Sequence, residues 1–383
     1  MSNVVTSWPV VSLYDFCNPK QWPTIPQTAF VDQGYPVYGA NGKIGHYTEF
    51  NHEKPTVLIT CRGATCGTIN VCEPKSYVTG NAMALDDLDE SRVSSEYLVY
   101  ALRNGSLAQA ITGTAQPQIT RQSLTAISIP LPPLAEQRRI AEVLDRAEAL
   151  RAKRRAALAL LDTLTQSLFL DLFGDPVRLQ AGQLPTVRDA ISRGKLLEIQ
   201  DGNHGEKHPK VEEFSETGIP FITANCLNDG QLNLTTCYFL PPSWLKRLRI
   251  GFAQAGDVLL SHKGSIGLTA IVPASEDSII LSPQVTYYRP NPESLLPQFL
   301  RGFFQTNSFQ AKMKKEAEQT TRSYLGITRQ LDLPLLLPAI ERQREFARRV
   351  GAVEKLKSAQ RASLAELDAL FATLQHRAFR GEL

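Results

Sequence analysis

A chain of 383 residues with 43% hydrophobic and 21% charged residues can bury two or three cores and has the make-up of a globular protein. Its formal net charge of +3 is compatible with nucleic acid without arguing for it, and suits a protein that shares phosphate contacts with partners. The sequence shows no uninterrupted run of about 18 apolar residues and no basic-then-apolar leader; a cytoplasmic location with no membrane partner is expected.

Residues 1–132 carry short β-rich runs punctuated by Gly, Pro and Asn, such as Thr56 to Thr60, followed by a short helix over Ser94 to Asn104. Pro132-Pro133 delivers the chain to a long helical pattern over 133–173, with Ile140, Val143, Ala147, Leu150, Arg154, Ala157, Leu161, Leu164 and Leu168 on alternating steps of three and four. Gly174 and Pro176 end it. Residues 174–337 form a second β-rich unit, with strands over Asp257 to Ser261 and Ser278 to Tyr288 and a helix over Pro297 to Lys315. A second long helix fills 338–383, its stripe running Phe346, Arg349, Val353, Leu356, Gln360, Ser363, Leu367, Leu370 and Leu374. At 1.5 Å per residue each long helix spans roughly 55 Å. Six cysteines without a Cys-x-x-Cys pair read as free thiols, and His204 and His208 lie in a loop without adjacent ligands, so no metal site is expected.

The chain says nearly the same thing twice. Leu134-Ala135-Glu136-Gln137-Arg138-Arg139-Ile140-Ala141 returns about 206 residues later as Ile340-Glu341-Arg342-Gln343-Arg344-Glu345-Phe346-Ala347. Upstream, Gly34 to Asn41 pairs with Gly218 to Asn225, Val57 to Gly63 with Val258 to Gly264, and Gln118 to Gln122 with Gly326 to Gln330. So long a period is a duplicated domain pair, not a solenoid. The expected fold is therefore α+β: two similar mixed domains, joined and spaced by two long antiparallel coiled-coil helices in a circular, pseudo-two-fold arrangement. Plain core packing of the helices within two ordinary domains is the alternative.

Two similar domains on a spacer would touch two patches of duplex, and because the domains differ in sequence the half-sites should differ. Base reading needs donor–acceptor side chains, while backbone amides and cations hold phosphate. Arg62, Gly63 and Thr65 in the first unit and His262, Lys263, Gly264 and Ser265 in the second follow strands and offer both. Gln116 and Gln118, and at the equivalent place Arg322 and Tyr324, form a second surface, with Arg121 and Arg329 just beyond. Lys43 and Asn225 are further candidates; taken singly, each of these residues also reads as a solvated turn. Catalytic signatures are missing. No Gly-x-x-x-x-Gly-Lys-Ser/Thr loop and no Asn/Asp-Pro-Pro-aromatic loop occurs, and Glu73-Pro74-Lys75 is too short a match to argue for a nuclease.

Pro132-Pro133-Leu134-Ala135-Glu136-Gln137-Arg138-Arg139-Ile140, Leu170-Asp171-Leu172-Phe173-Gly174-Asp175-Pro176 and the paired Arg62-Gly63 and Lys263-Gly264 loops, in duplicated order over essentially the whole chain, resemble the specificity subunit of a type I restriction-modification system. The resemblance implies a non-catalytic protein with two target recognition domains, each reading half of a split DNA sequence. It also implies helices that dock two methyltransferase subunits, to which restriction (motor-nuclease) subunits can add. S-adenosylmethionine would belong to the methyltransferase partners, and ATP and Mg to the restriction subunits. Gln137, Arg138, Arg151 and Arg154, with Gln343, Arg344 and Gln360, are the helix residues expected to meet partners. The second copy departs at Ala339 for Pro133 and Glu345 for Arg139. Two other readings stay open: a helical scaffold that binds no DNA, and a fragment of a fused restriction-methyltransferase enzyme.

Overall fold

In a computed structural model the chain is described at residues 8–40, 42–105, 107–113, 116–175, 184–203, 208–228, 230–274, 278–318 and 324–383. It divides into two compact units, Met1–Arg155 with Arg361–Leu383, and Ala156–Gln360. Each long helix, Leu134–Phe173 and Ile340–Ala378, is thus shared between the units and does not stand as a separate spacer domain.

Unit 1 holds a four-stranded antiparallel sheet in the order Asn18–Gln21, Ala82–Asp86, Val57–Thr60, Ile69–Val71. Beside it Tyr35–Gly39 pairs antiparallel with Gly42–Tyr47 and parallel with Tyr77–Val78. Unit 2 repeats the plan. Leu196–Asp201, Val285–Pro290, Val258–Ser261 and Thr269–Ile271 form one antiparallel sheet. In the other, Ile219–Ile222 pairs antiparallel with Tyr238–Leu240 and parallel with Ile279–Leu281. The single strand expected over Ser278 to Tyr288 is therefore two, Ile279–Leu281 and Val285–Pro290, because the chain changes sheets at Ser282 to Gln284. The helix expected over Pro297 to Lys315 likewise breaks into Pro297–Phe304 and Asn307–Glu318, where Thr306 leaves the helix and turns its hydroxyl to the amide of Phe309 (3.4 Å).

The two helices run almost as long as their patterns predict, 40 and 39 residues. Gly174, with a φ of +78°, closes the first by donating its amide to the carbonyl of Leu170 at 2.8 Å. Each helix begins with a buried glutamine. Gln137 accepts from the amide of Ser94 (2.9 Å) and donates to the carbonyls of Arg92 (2.7 Å) and Pro132 (2.8 Å). Gln343 does the same with Leu296 (2.8 Å), Ser294 (3.2 Å) and Pro338 (2.9 Å). Both side chains are wholly buried, so these two expected partner contacts are instead latches that satisfy the start of the preceding short helix.

The seam also differs from the expected stripe. Leu150, Leu164, Leu356 and Leu370 are 51, 42, 55 and 49% exposed. The inner face one residue further round carries Arg151, Thr165, Lys357 and Phe371. Within unit 1, Arg151 reaches Asp368 at 2.6 Å and lies over the ring of Phe371. Within unit 2, Lys357, only 4% exposed, reaches Asp162 at 2.7 Å. Each pair is the other shifted by 206 residues with the helices exchanged, and in each unit the contacts run antiparallel. Polar residues can occupy such a seam because long aliphatic stems pack while the charged ends find partners. Arg151 is therefore engaged inside the fold, whereas Arg138 and Arg344 stay exposed; Arg154 and Gln360 are half-buried.

In unit 2 the helix halves meet a cluster of rings. Phe169 packs against Phe173, Phe299, Phe303 and Phe346, and Gly302 is small because a Cβ there would come within 2.7 Å of Phe346. In unit 1 Tyr97 and Tyr100 pack on Phe379 and Phe371, and Trp8 and Leu383 lie against the same core. The departure at Glu345 has a local cause: Arg348 and Arg349 hold its carboxyl at about 2, while Arg139 in the first copy pairs with Glu136 at 2.8 Å.

Among the described residues one helix, Leu134–Phe173, carries an 18-residue stretch long and apolar enough by composition to cross a membrane. Only 11% of that stretch is buried: Phe169 enters the core of unit 2, while Leu160, Leu164 and Leu170 are 71, 42 and 46% exposed.

Candidate nucleic-acid interface

In unit 1 the strand Val57–Thr60 runs out into a turn closed by the amide of Gly67 on the carbonyl of Thr60 (2.9 Å). Gly63 has a φ of +84°, a conformation that favours glycine, and a Cβ there would meet nothing within 4 Å, so the turn faces open space. Arg62 is exposed and forms a β-bridge with Gln118, while the amide of Ile119 donates to the carbonyl of Cys61 at 2.9 Å. The turn and the segment before the helix, far apart in sequence, are thus zipped into one edge.

Unit 2 builds the same edge with different side chains. The amide of Gly267 donates to the carbonyl of Ser261 (2.9 Å), Gly264 has a φ of +75° with open space above it, and exposed Lys263 bridges Tyr324. The amide of Leu325 donates to the carbonyl of His262 at 3.0 Å. In both units, then, the residue that carries a cation beside a left-handed glycine is bridged through its backbone to a polar or aromatic residue of the pre-helix segment. Such an edge can hold phosphate through its amides and cation and present side chains to bases.

The remaining candidates fall in different places. Thr65 donates its hydroxyl to the carbonyl of Ala40 (3.0 Å), as Thr60 does, so it ties the hairpin tip before Lys43 to the turn. Lys43 lies beside this assembly and pairs with Glu73 at 3.3 Å. Gln116 and Ser265 are exposed on their loops, and Asn225 is exposed just past Ile219–Ile222. Arg121 is tied to the side chain of Asn18 (2.8 Å), and Arg329 to the carbonyl of Glu316 (3.1 Å). Arg322, Asn41 and His204 lie outside the described residues.

His262 is a correction. Its side chain is fully buried, 5.4 Å from the ring of Tyr324, so it supports the edge from inside and presents nothing to a duplex. The signal was in the repeat: its counterpart Cys61 is a small apolar residue, also fully buried. Sequence reasoning missed Phe214 and Tyr238, which stack at 4.6 Å beside Lys263, because unit 1 has no matching pair of rings at these positions.

Burial pushes the thiols of Cys17 and Cys61 up to about 12 and about 11, so neither offers a thiolate nucleophile. Among the described residues, no group of three or more His, Cys, Asp and Glu side chains could hold a metal.

Residues 6–159 match the type I restriction modification DNA specificity domain. The chain is 23% identical over 325 residues to the specificity subunit of the type I restriction enzyme MjaVIII of Methanocaldococcus jannaschii, covering 82% of this chain and 75% of that protein. With the EcoBI specificity subunit of Escherichia coli it shares 21% over 379 residues, 92% of this chain and 76% of the relative. Its fold is similar to that of the type I restriction-modification S subunit from M. genitalium, with a TM-score of 0.61 and 17% identity over 99% of this chain and 97% of that one. A further chain, from a study of assembly and conformational transition in a type I R-M system, superposes with a TM-score of 0.53 and 19% identity over the whole of both.

Proposed function

We propose that the chain is a specificity subunit of a type I restriction-modification system and that its parts divide the work as follows. As a specificity subunit it recognises DNA and is not itself the enzyme. Each unit is a target recognition domain that reads one half of a bipartite, asymmetric site. The observation that carries this is the repeated edge, Arg62 with Gln118 in one unit and Lys263 with Tyr324 in the other: the scaffold is kept while the base-facing chemistry changes.

The long helices, in this reading, hold the two readers at a fixed distance in a circular, pseudo-two-fold arrangement. In its support, the ion pairs Arg151–Asp368 and Lys357–Asp162 recur with the helices exchanged, and Leu383 packs on the same core as Trp8. Two methyltransferase subunits would dock on the helix faces left outside the seam. Exposed Leu150 and Leu356, and Leu164 and Leu370, stand at equivalent places on the two helices, as do Arg138 and Arg344. Restriction subunits would add to that complex. S-adenosylmethionine, ATP and Mg would be held by those partners, and the assembly would work in the cytoplasm.

Salt titration of duplex binding by the subunit with its methyltransferase partner tests the DNA contacts. Each counterion-releasing phosphate contact contributes about 0.9 to the slope of log affinity against log salt. Arg62→Ala and Lys263→Ala are each expected to lower that slope by about one and to weaken binding. A flat salt response with no sequence preference in the parent would favour a scaffold that binds no DNA.

A further inference from the structure

Beside the Lys263 edge, unit 2 contains a cavity of about 340 Å³. Its floor is Phe221, buried to 2% exposure, and its wall is Phe214 stacked face to face on Tyr238 at 4.6 Å. Tyr238 is 56% exposed although it is a large aromatic residue in a strand paired with Phe221. His208 closes another side with its ring edge on Phe221, and Lys263 stands at the rim. Among the described residues that line the cavity there is no carboxylate, and the one full charge is Lys263, the cation of the edge assigned to DNA.

The same place in unit 1 is built differently. There Gly45 stands opposite Val37, as Tyr238 stands opposite Phe221. A Cβ on Gly45 would come within 2.6 Å of the ring of Phe30, which therefore lies directly on the glycine. The scaffold is shared and the aromatic wall belongs to unit 2.

We propose that this cavity receives one nucleobase, unstacked from the half-site that unit 2 reads, between Tyr238 and the floor at Phe221. The proposal rests on the DNA-recognition reading and deepens it. A flat, aromatic-walled slot suits a base because every base has a face that stacks on a ring. The rim cation is placed to neutralise the phosphate of the nucleotide that turns out, and the stacking contact offsets part of the cost of leaving the helix. The cavity is at the small end of ligand-site volumes, which fits one base and excludes a helix or strand of a protein partner.

The test uses the subunit assembled with its methyltransferase partner and a duplex carrying the target mapped from methylated adenines. Each nucleotide of both half-sites is replaced in turn by an abasic residue. Tyr238→Ala is expected to weaken binding of the intact duplex about tenfold, and Tyr238→Phe to retain it. At one position within a single half-site, abasic replacement should weaken the parent complex and abolish its advantage over Tyr238→Ala. Thermal melting checks that the variants fold, as the exposure of residue 238 leads one to expect. If the parent binds its target specifically while Tyr238→Ala binds equally well, or no abasic position couples to residue 238, the base pocket is wrong and DNA recognition stands. If the parent itself has no sequence preference, the DNA reading falls and the pocket with it.

Discussion

Phe169→Ala is expected to destabilise unit 2 by about 3–5 kcal/mol, the cost of emptying a large aromatic site in a close-packed core. Phe169 is 1% exposed and touches four rings, with centroids 4.9 to 6.2 Å away at Phe173, Phe299, Phe303 and Phe346. Those rings come from both long helices and from the short helix Pro297–Phe304, so none can move in without leaving its own contacts. Gly302 makes the cluster tighter, since Phe346 sits where a side chain would have been. Hydrogen exchange across Val258–Ser261 during urea titration reads this loss in unit 2. Leu164→Ala, at an exposed position of the same helix, should change stability by no more than about 0.5 kcal/mol. A loss below about 1 kcal/mol for Phe169→Ala would mean that the helix does not belong to the core of the unit.

Arg289→Leu should cost about 3 kcal/mol at neutral pH. Arg289 meets both oxygens of Asp257, at 2.9 and 2.8 Å, and Glu198 at 2.6 Å, on the sheet that carries the Lys263 edge. Asp257 is 1% exposed, and leaving a buried charge without its partner costs roughly 3–5 kcal/mol. The low end applies because Arg289 itself is one-fifth open to solvent. Burial already lifts the carboxyl of Asp257 above its ordinary 3.8, against the pull of Arg289. With the arginine gone that pull disappears and the carboxyl rises further. A carboxyl with a folded pKa above its unfolded value takes up protons on folding, so its penalty fades as pH falls through the folded pKa and is fully felt above it. The deficit relative to the parent should therefore be larger at pH 7 than at pH 5 in urea unfolding, and Arg289→Lys should recover part of it. A deficit independent of pH would show that Asp257 is not the group left uncompensated.

Much of the fold is legible in the sequence because it is written twice. The turn glycines Gly63 and Gly264, the proline-led helix starts and the strands before them recur in order, and local signals place them correctly. What the sequence hides is the non-local part. Leu150 and Leu356 look like seam residues on hydrophobicity alone, yet Arg151 and Lys357 face inward because Asp368 and Asp162 wait on the other helix, over 190 residues away in the chain. Gln137 and Gln343 look like docking groups until the carbonyls and amides of the short helices are seen around them. Of the candidate contacts, Arg62 and Lys263 are found exposed on paired edges, whereas His262 turned inward, which only its counterpart Cys61 could have signalled. The aromatic wall at Tyr238 was illegible because no repeat partner marks it.

The central claim, two readers held apart by a ruler, is tested by deleting Arg154 to Ala157 together with Gln360 to Ser363. These segments are equivalent in the repeat, and the deletions leave Arg151–Asp368 and Lys357–Asp162 in place, each within its own unit. Four helical residues span about 6 Å, close to two base pairs of duplex. Methylated adenines are then mapped in DNA from cells carrying the shortened subunit and its methyltransferase partner. The expected result is a target with the same two half-site sequences and a shorter gap between them; an unchanged gap, or altered half-site sequences, would contradict it.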